Sequence, residues 1–203
     1  MNSKMDPMGR AIADYHKDKK ASKLRVFSPM FEEDEIPLTT LFRSYESMPE
    51  IERKALDMAK GRVLDVGAGA GCHSLVLQEK GLDVTAIDIS PLSVRTMKER
   101  GVKKVLEQDF FTLDGQYDTI LMLMNGIGIV GTLERMPEFF KQLNKILAQG
   151  GRGMDKRILS TCSIQTPKGY SAKIYLNVLL HGTPCVSLWN RWPEARETST
   201  MAG

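Results

Sequence analysis

The sequence predicts an α/β fold, a three-layer αβα sandwich built on a mostly parallel sheet whose C-terminal strands are degenerate or missing. Three observations carry this expectation. Val63-Leu64-Asp65-Val66 is a largely apolar run that ends in Gly67-Ala68-Gly69-Ala70-Gly71 and passes straight into a helical pattern. A second run, Val84-Thr85-Ala86-Ile87, comes one helix later and ends in Asp88. A third, Tyr117 to Met124, is almost continuously apolar. Apolar runs that alternate with helices are the mark of parallel strands covered on both faces.

Residues 1–60 read as a mostly helical, polar preface. Ala11 to Lys20 is charged, with Ile12 and Tyr15 its main apolar residues, and Phe31 to Pro37 reads as an acidic connection. Pro49 to Lys60 predicts a helix with Ile51, Ala55, Leu56 and Met58 inward and Gly61 as its stop. After the second strand, Ser90 suits a helix N-cap and Pro91 the first helical position, where a missing N–H costs nothing. Gly101 stops that helix, Val102 to Glu107 reads as a third, shorter strand, and Gln108-Asp109-Phe110 follows it. Gly115-Gln116 marks a turn into the Tyr117–Met124 strand, and Asn125-Gly126-Ile127-Gly128 lies just beyond. Pro137 then opens a helix with apolar residues at Phe139, Phe140, Leu143, Ile146 and Leu147, ended by Gly150-Gly151.

The glycine spacing carries chemistry. A dinucleotide turn is G-x-G-x-x-G and brings a helix N-terminus to a pyrophosphate. Here the spacing is G-x-G-x-G, with Asp65 two residues before the first glycine. A carboxylate there repels a pyrophosphate and suits a cationic amino-acid group. An acid at the end of the second strand, Asp88, can accept hydrogen bonds from the hydroxyls of a ribose. This D-x-G-x-G-x-G turn with its downstream acid resembles the first two motifs of class I S-adenosylmethionine-dependent methyltransferases, a Rossmann-like family.

The resemblance implies S-adenosylmethionine as cofactor and direct in-line methyl transfer to a small-molecule acceptor. It places cofactor contacts at Asp65, Gly67, Ala68, Gly69, Gly71, Asp88, Ile89, Asp109, Phe110 and Met124. Asp109 would face the adenine amino group, and Ile89 or Phe110 would pack on the ring. Asn125 is a candidate for orienting the acceptor, or it only satisfies backbone groups at the strand end. No residue declares itself a catalytic base; His73 follows the glycine turn, where a capping or packing role serves as well. In similar enzymes the preface lies across the cofactor, which singles out Tyr15, His16, Arg43 and Tyr45, although a solvated surface accounts for them too. Asp88 also reads as a helix cap, Asp109 as a surface acid, and Met122 and Met124 as core. The [D/N/S]-P-P-[Y/F] tetrapeptide of nucleic-acid base methylation is missing, which counts against that subgroup. The readings left beside this one are an NAD(P)-dependent oxidoreductase on a related fold and an inactive fragment of a methyltransferase.

Composition fits one α/β domain. The chain has 203 residues, 42% of them hydrophobic, and a net charge of +3, too weak by itself to imply nucleic acid. Cys72, Cys162 and Cys185 show no paired metal spacing, so no metal is expected. The first residues have no apolar signal core, and no apolar stretch reaches the roughly 20 residues of a membrane helix. A cytoplasmic protein without a membrane partner is expected.

The segments divide as a preface (1–60), a cofactor-binding core (61–151) and an atypical tail (152–203). Where a fifth buried strand should begin stands Arg152-Gly153-Met154-Asp155-Lys156-Arg157. The tail holds both tryptophans and two of the three cysteines, and no useful amphipathic helix lies between Leu159 and Lys173. Two explanations compete. In one the tail has diverged, with Ile158 to Ile164 a poor fifth strand and Lys173–Leu180 paired with Cys185–Asn190 as a hairpin. In the other, favoured by the abruptness of the change, a reading-frame shift near codon 150 has replaced the native C-terminus.

Overall fold

A computed structural model of the chain describes residues 6–19, 24–28, 31–124, 126–148, 157–165 and 171–179. It divides into two compact units, Met1–Asp109 and Phe110–Gly203.

The first unit begins with helix α1 (Pro7–Asp18), the strands β1 (Leu24–Ser28) and β2 (Phe31–Ile36), two short 3-10 turns and helix α2 (Glu50–Met58). Strand and helix then alternate as β3 (Arg62–Val66), α3 (Cys72–Glu79), β4 (Asp83–Asp88), α4 (Pro91–Glu99) and β5 (Val105–Glu107). The strands lie side by side in the order β5-β4-β3. Both pairings are parallel, with Val63 beside Val84, Asp65 beside Ala86, and Asp88 beside Glu107. Val63, Leu64, Ala86 and Ile87 are fully buried, as strands covered on both faces require. The anticipated cap is present: Ser93 N–H donates to Ser90 Oγ at 2.9 Å, and Pro91 follows at the helix start.

The preface departs from expectation in one place. The acidic connection is strand β2, antiparallel to β1, with Arg25 directly opposite Glu35 in the register. Acidic residues have little strand preference, and the register sets opposite charges across the pair there, which favours pairing. The helix expected over Pro49–Lys60 is α2, with Ala55 and Leu56 buried and Gly61 at φ +65° just past it.

The second unit contains β6 (Thr119–Met122), α5 (Met136–Ile146), β7 (Arg157–Gln165) and β8 (Ser171–Leu179). Every residue of β6 is buried. Helix α5 buries Phe139, Phe140, Leu143 and Ile146. Its buried Gln142 donates through Nε2 to the carbonyls of Phe110 (2.8 Å) and Leu113 (2.7 Å), satisfying an amide that would otherwise be costly to bury.

Strand β7 runs parallel to β6, from Thr119 beside Arg157 to Met122 beside Ser160. Strand β8 runs antiparallel to β7, from Arg157 opposite Leu179 to Gln165 opposite Ser171. The tail's strands are therefore present in the described backbone. The fifth strand stands at the span read as Ile158–Ile164, and β8 covers most of Lys173–Leu180. Strand β8 takes β7 as its neighbour on one edge, and the expected partner Cys185–Asn190 lies outside the described residues. Alternation such as Ile174, Leu176, Val178 has the period of a strand and no helix period to compete with it. Parallel strands joined through helices, with one antiparallel strand after them, make this the Rossmann-like α/β class that the sequence predicts. Among the described residues, no helix is long and apolar enough to cross a membrane.

Candidate functional site

The glycine turn between β3 and α3 is built on three left-handed residues: Gly67, Gly69 and Gly71 have φ of +66°, +58° and +79°. The N–H groups of Gly67 and Ala68 donate to the Ile87 carbonyl on β4, at 2.9 and 3.1 Å, which bends the chain back over the strand ends. Among the described residues, and apart from its two chain neighbours, no atom lies within 4 Å of a Cβ placed on Gly67, so the turn is open there. A Cβ on Gly71 would sit 3.0 Å from both Met97 Cγ and Val102 Cγ2. Gly67→Ala is expected to cost about 1 kcal/mol, from backbone strain alone. Gly71→Ala should cost roughly 2–3 kcal/mol, because strain and overpacking add. Urea unfolding midpoints in that order would check the difference.

Asp88 closes the turn. Its Oδ2 accepts from Gly69 N–H and its Oδ1 from Ser90 N–H, both at 2.9 Å. Burial pushes its carboxyl above the ordinary aspartate value, against the pull of those two donors. Each oxygen keeps lone-pair capacity beyond the one backbone bond recorded here. Ile89 beside it is 54% exposed, an unusual position for so large an apolar side chain.

Asp65 lies under the turn. It is 2% exposed and accepts from Ser74 Oγ at 2.6 Å. Burial raises its carboxyl, and the charge of His73 works in the opposite direction. This answers the requirement that a carboxylate at a buried strand end be paired. His73, 5% exposed, turns its Nε2 to Glu52 Oε2 at 2.9 Å, and Arg43 forms an ion pair with the same carboxylate oxygen. Burial alone would lift the Glu52 carboxyl, but His73 and Arg43 outweigh it and hold the group below the ordinary glutamate value. His73 is thus engaged in a buried cluster and not turned to solvent as a base. The Nε of Arg43 is buried with no partner among the described residues. Its charge is felt at Cys72, directly after the turn, whose thiol burial pushes up to about 12.

The other preface candidates have structural partners. Tyr15 and His16 pack on Phe42, with centroids at 4.7 and 6.3 Å, and His16 lies 3.7 Å from Glu99. Tyr45 donates to Asp57 at 2.8 Å beneath the Lys80 ammonium. Asp109 is exposed.

In the second unit, Phe110 is 3% exposed, with its ring against Phe139 and Phe111 at 5.4 and 5.5 Å. Of the two apolar candidates for packing on a base, Ile89 is open and Phe110 is core. Met124, half-buried just past β6, holds the left-handed conformation at φ +52°, rare for a residue with a side chain. Asn125 lies outside the described residues.

Two polar residues that the sequence does not single out complete the first unit's cluster. Glu52 joins Arg43 to His73, and Asp6, 2% exposed, accepts from Ser90 Oγ at 2.5 Å. Both sit in polar stretches whose partners are distant in sequence, so no local pattern marks them.

A family model described as "Methyltransferase domain" matches residues 63–151. The match ends where the composition of the sequence changes. The chain is 49% identical to a SAM-dependent methyltransferase from Bacteroides fragilis, crystallised in complex with S-adenosyl-L-homocysteine, over 84% of this chain and 72% of that one, with a TM-score of 0.75. It is 33% identical over 99 residues to YqeM of Bacillus subtilis (strain 168), named as a methyltransferase, covering 45% of this chain and 40% of that protein. It is 31% identical over 128 residues to the ubiquinone biosynthesis O-methyltransferase of Rickettsia conorii, covering 60% of this chain and 41% of that protein. The chain spans about two fifths of the length of these curated relatives.

Proposed function

The chain belongs to the S-adenosylmethionine-dependent methyltransferases, and from that premise we propose that it binds S-adenosylmethionine along the glycine turn and methylates a small-molecule acceptor. The observation that carries this reading is Asp88, held by Gly69 N–H and Ser90 N–H at the edge of a turn with free space above Gly67. The residues present fit the group. An open turn accommodates it where a Cβ would intrude, and an acid for the sugar hydroxyls stands beside an exposed apolar residue, Ile89, for the base. Asp65 lies below the turn and acts on the ligand's ammonium through its field, since Ser74 occupies one of its oxygens.

When bound, S-adenosylmethionine supplies an electrophilic methyl group on a sulfonium, and its transfer leaves a neutral thioether. Charge is dispersed in that displacement, so the tasks left to the protein are alignment and exclusion of water. Gly67, Ala68, Gly69 and Gly71 hold the amino-acid end, and Asp88 fixes the sugar and so the direction of the methyl group. Asp109 is assigned to the adenine edge, as the resemblance implies. The names of the Rickettsia conorii enzyme and of a demethylmenaquinone methyltransferase of Tropheryma whipplei, 28% identical over 138 residues, favour a quinone-like acceptor.

Thermal melts test the cofactor class. S-adenosylhomocysteine should raise the melting temperature and NADH should leave it unchanged; the reverse pattern contradicts the reading.

Asp65 adds a pH signature. Its folded-state carboxyl is raised, so its contribution to stability is full below the ordinary aspartate value and is lost as pH climbs through the raised one. Asp65→Asn should abolish that decline and weaken S-adenosylhomocysteine roughly tenfold, about the strength of one charge-assisted contact. Denaturation curves and titrations from pH 4 to 8 would measure both.

A further inference from the structure

Helix α1 is fixed at its two ends by different means. Its C-terminal half is held by ring packing: Tyr15 and His16 lie on Phe42, His16 reaches Glu99, and the Arg100 guanidinium lies over the Phe42 ring at 4.7 Å. Its first turn is held by a polar latch. Asp6 caps the helix through Oδ1, which accepts from Gly9 N–H at 2.8 Å, and its Oδ2 accepts from Ser90 Oγ. Ser90 Oγ in turn accepts from Ser93 N–H, and Ser90 N–H donates to Asp88. One unbroken chain of hydrogen bonds therefore runs from the start of α1 to the carboxylate that closes the glycine turn.

The fit at this junction is tight. A Cβ on Gly9 would run into Ser90 Oγ and Asp6 Oδ2 and come within 2.7 Å of Asp6 Cγ. One turn later Ile12, fully buried, reaches to 3.8 Å from the Cβ position of Gly69. The helix thus lies against both Ser90 and the glycine turn, and its first turn cannot lift without breaking the Asp6–Ser90 bond.

We infer that Asp6 is a positioning residue: its bond to Ser90 clamps the first turn of α1 over the Gly69–Asp88–Ser90 corner and sets the rate at which the nucleoside ligand escapes. This rests on the reading of Asp88 as the sugar-holding acid. The latch touches Asp88 only through Ser90, so losing it leaves the acid in place and frees the strap above it. Escape should speed up while the acid's own contribution to affinity is retained.

The test is the dissociation rate of S-adenosylhomocysteine from the full chain, measured by stopped-flow displacement, with circular dichroism and melting temperature alongside. Gly9→Ala wedges the junction open and improves helix propensity at that position. Asp6→Ser keeps an oxygen for the helix cap but is too short to reach Ser90 as well. Both should dissociate about tenfold faster, the scale of one hydrogen bond, with helix content unchanged. Asp6→Asn keeps the cap and can donate to Ser90 Oγ, so its rate should return close to that of the parent. Dissociation within twofold of the parent in both Gly9→Ala and Asp6→Ser, while Asp88→Ala loses binding, overturns the latch and leaves the cofactor reading standing. A parent chain that does not bind at all overturns both.

Discussion

Glu52→Ala should destabilise the protein by about 3–5 kcal/mol, the scale observed when one partner of a buried ion pair is removed. The carboxylate is 8% exposed and is shared by the Arg43 guanidinium and His73 Nε2, themselves only 11% and 6% exposed. Removing it leaves both groups buried without that acceptor. Replacement by Gln keeps an acceptor for His73 but not the charge for Arg43, and an intermediate loss is expected. Because Glu52 is held below the ordinary glutamate value, its contribution is full above that value and disappears as pH falls through the lowered one. The parent should lose stability across that acid window, and Glu52→Ala should not. Urea denaturation at several pH values measures this; equal stability of parent and Glu52→Ala at neutral pH would remove the buried network as an organising element.

Asp88→Ala should weaken S-adenosylhomocysteine a hundredfold or more, corresponding to about 3 kcal/mol from hydrogen bonds to a charged acceptor. Two effects act together. The proposed acceptor for the sugar hydroxyls is lost, and Gly69 N–H and Ser90 N–H lose the group that defines the corner. The effect on folding should be smaller, because the burial that raises the Asp88 carboxyl shows that its charge is held at some cost. Asp83→Ala is the control: Asp83 is an exposed acid at the other end of the same strand, paired with Lys104 at 2.5 Å. It should bind like the parent. Equal affinity in Asp88→Ala and Asp83→Ala would remove the sugar-holding role.

The two motifs that imply this chemistry were legible because they are local. A run of strand residues ending in alternating glycines needs only neighbours in sequence to define it, and so does Ser90 followed by Pro91. The parallel strands flanking them followed from the same continuous apolar runs. The Glu52–His73 contact spans 21 residues and the Asp6–Ser90 contact 84, so neither leaves a periodic trace. In the sequence Glu52 is one charge among several on a polar helix, and Asp6 one of several polar residues near its start. The β1–β2 pair is hidden by the acidic composition of β2. His73 and Arg43 were visible as residues, but their shared partner was not, and that partner decides what they do. In the tail, the strand alternation of β7 and β8 was readable, while their pairing with each other depended on the antiparallel return between them.

The central claim is that a glycine turn over a buried acid, closed by Asp88, holds a sulfonium nucleoside. Isothermal titration of the full chain with S-adenosylhomocysteine tests it most directly. A saturable one-site heat, lost on replacing Asp88 with alanine and kept on replacing Asp83, is the predicted result. No heat from a folded parent chain, or heat that survives in Asp88→Ala undiminished, would contradict it.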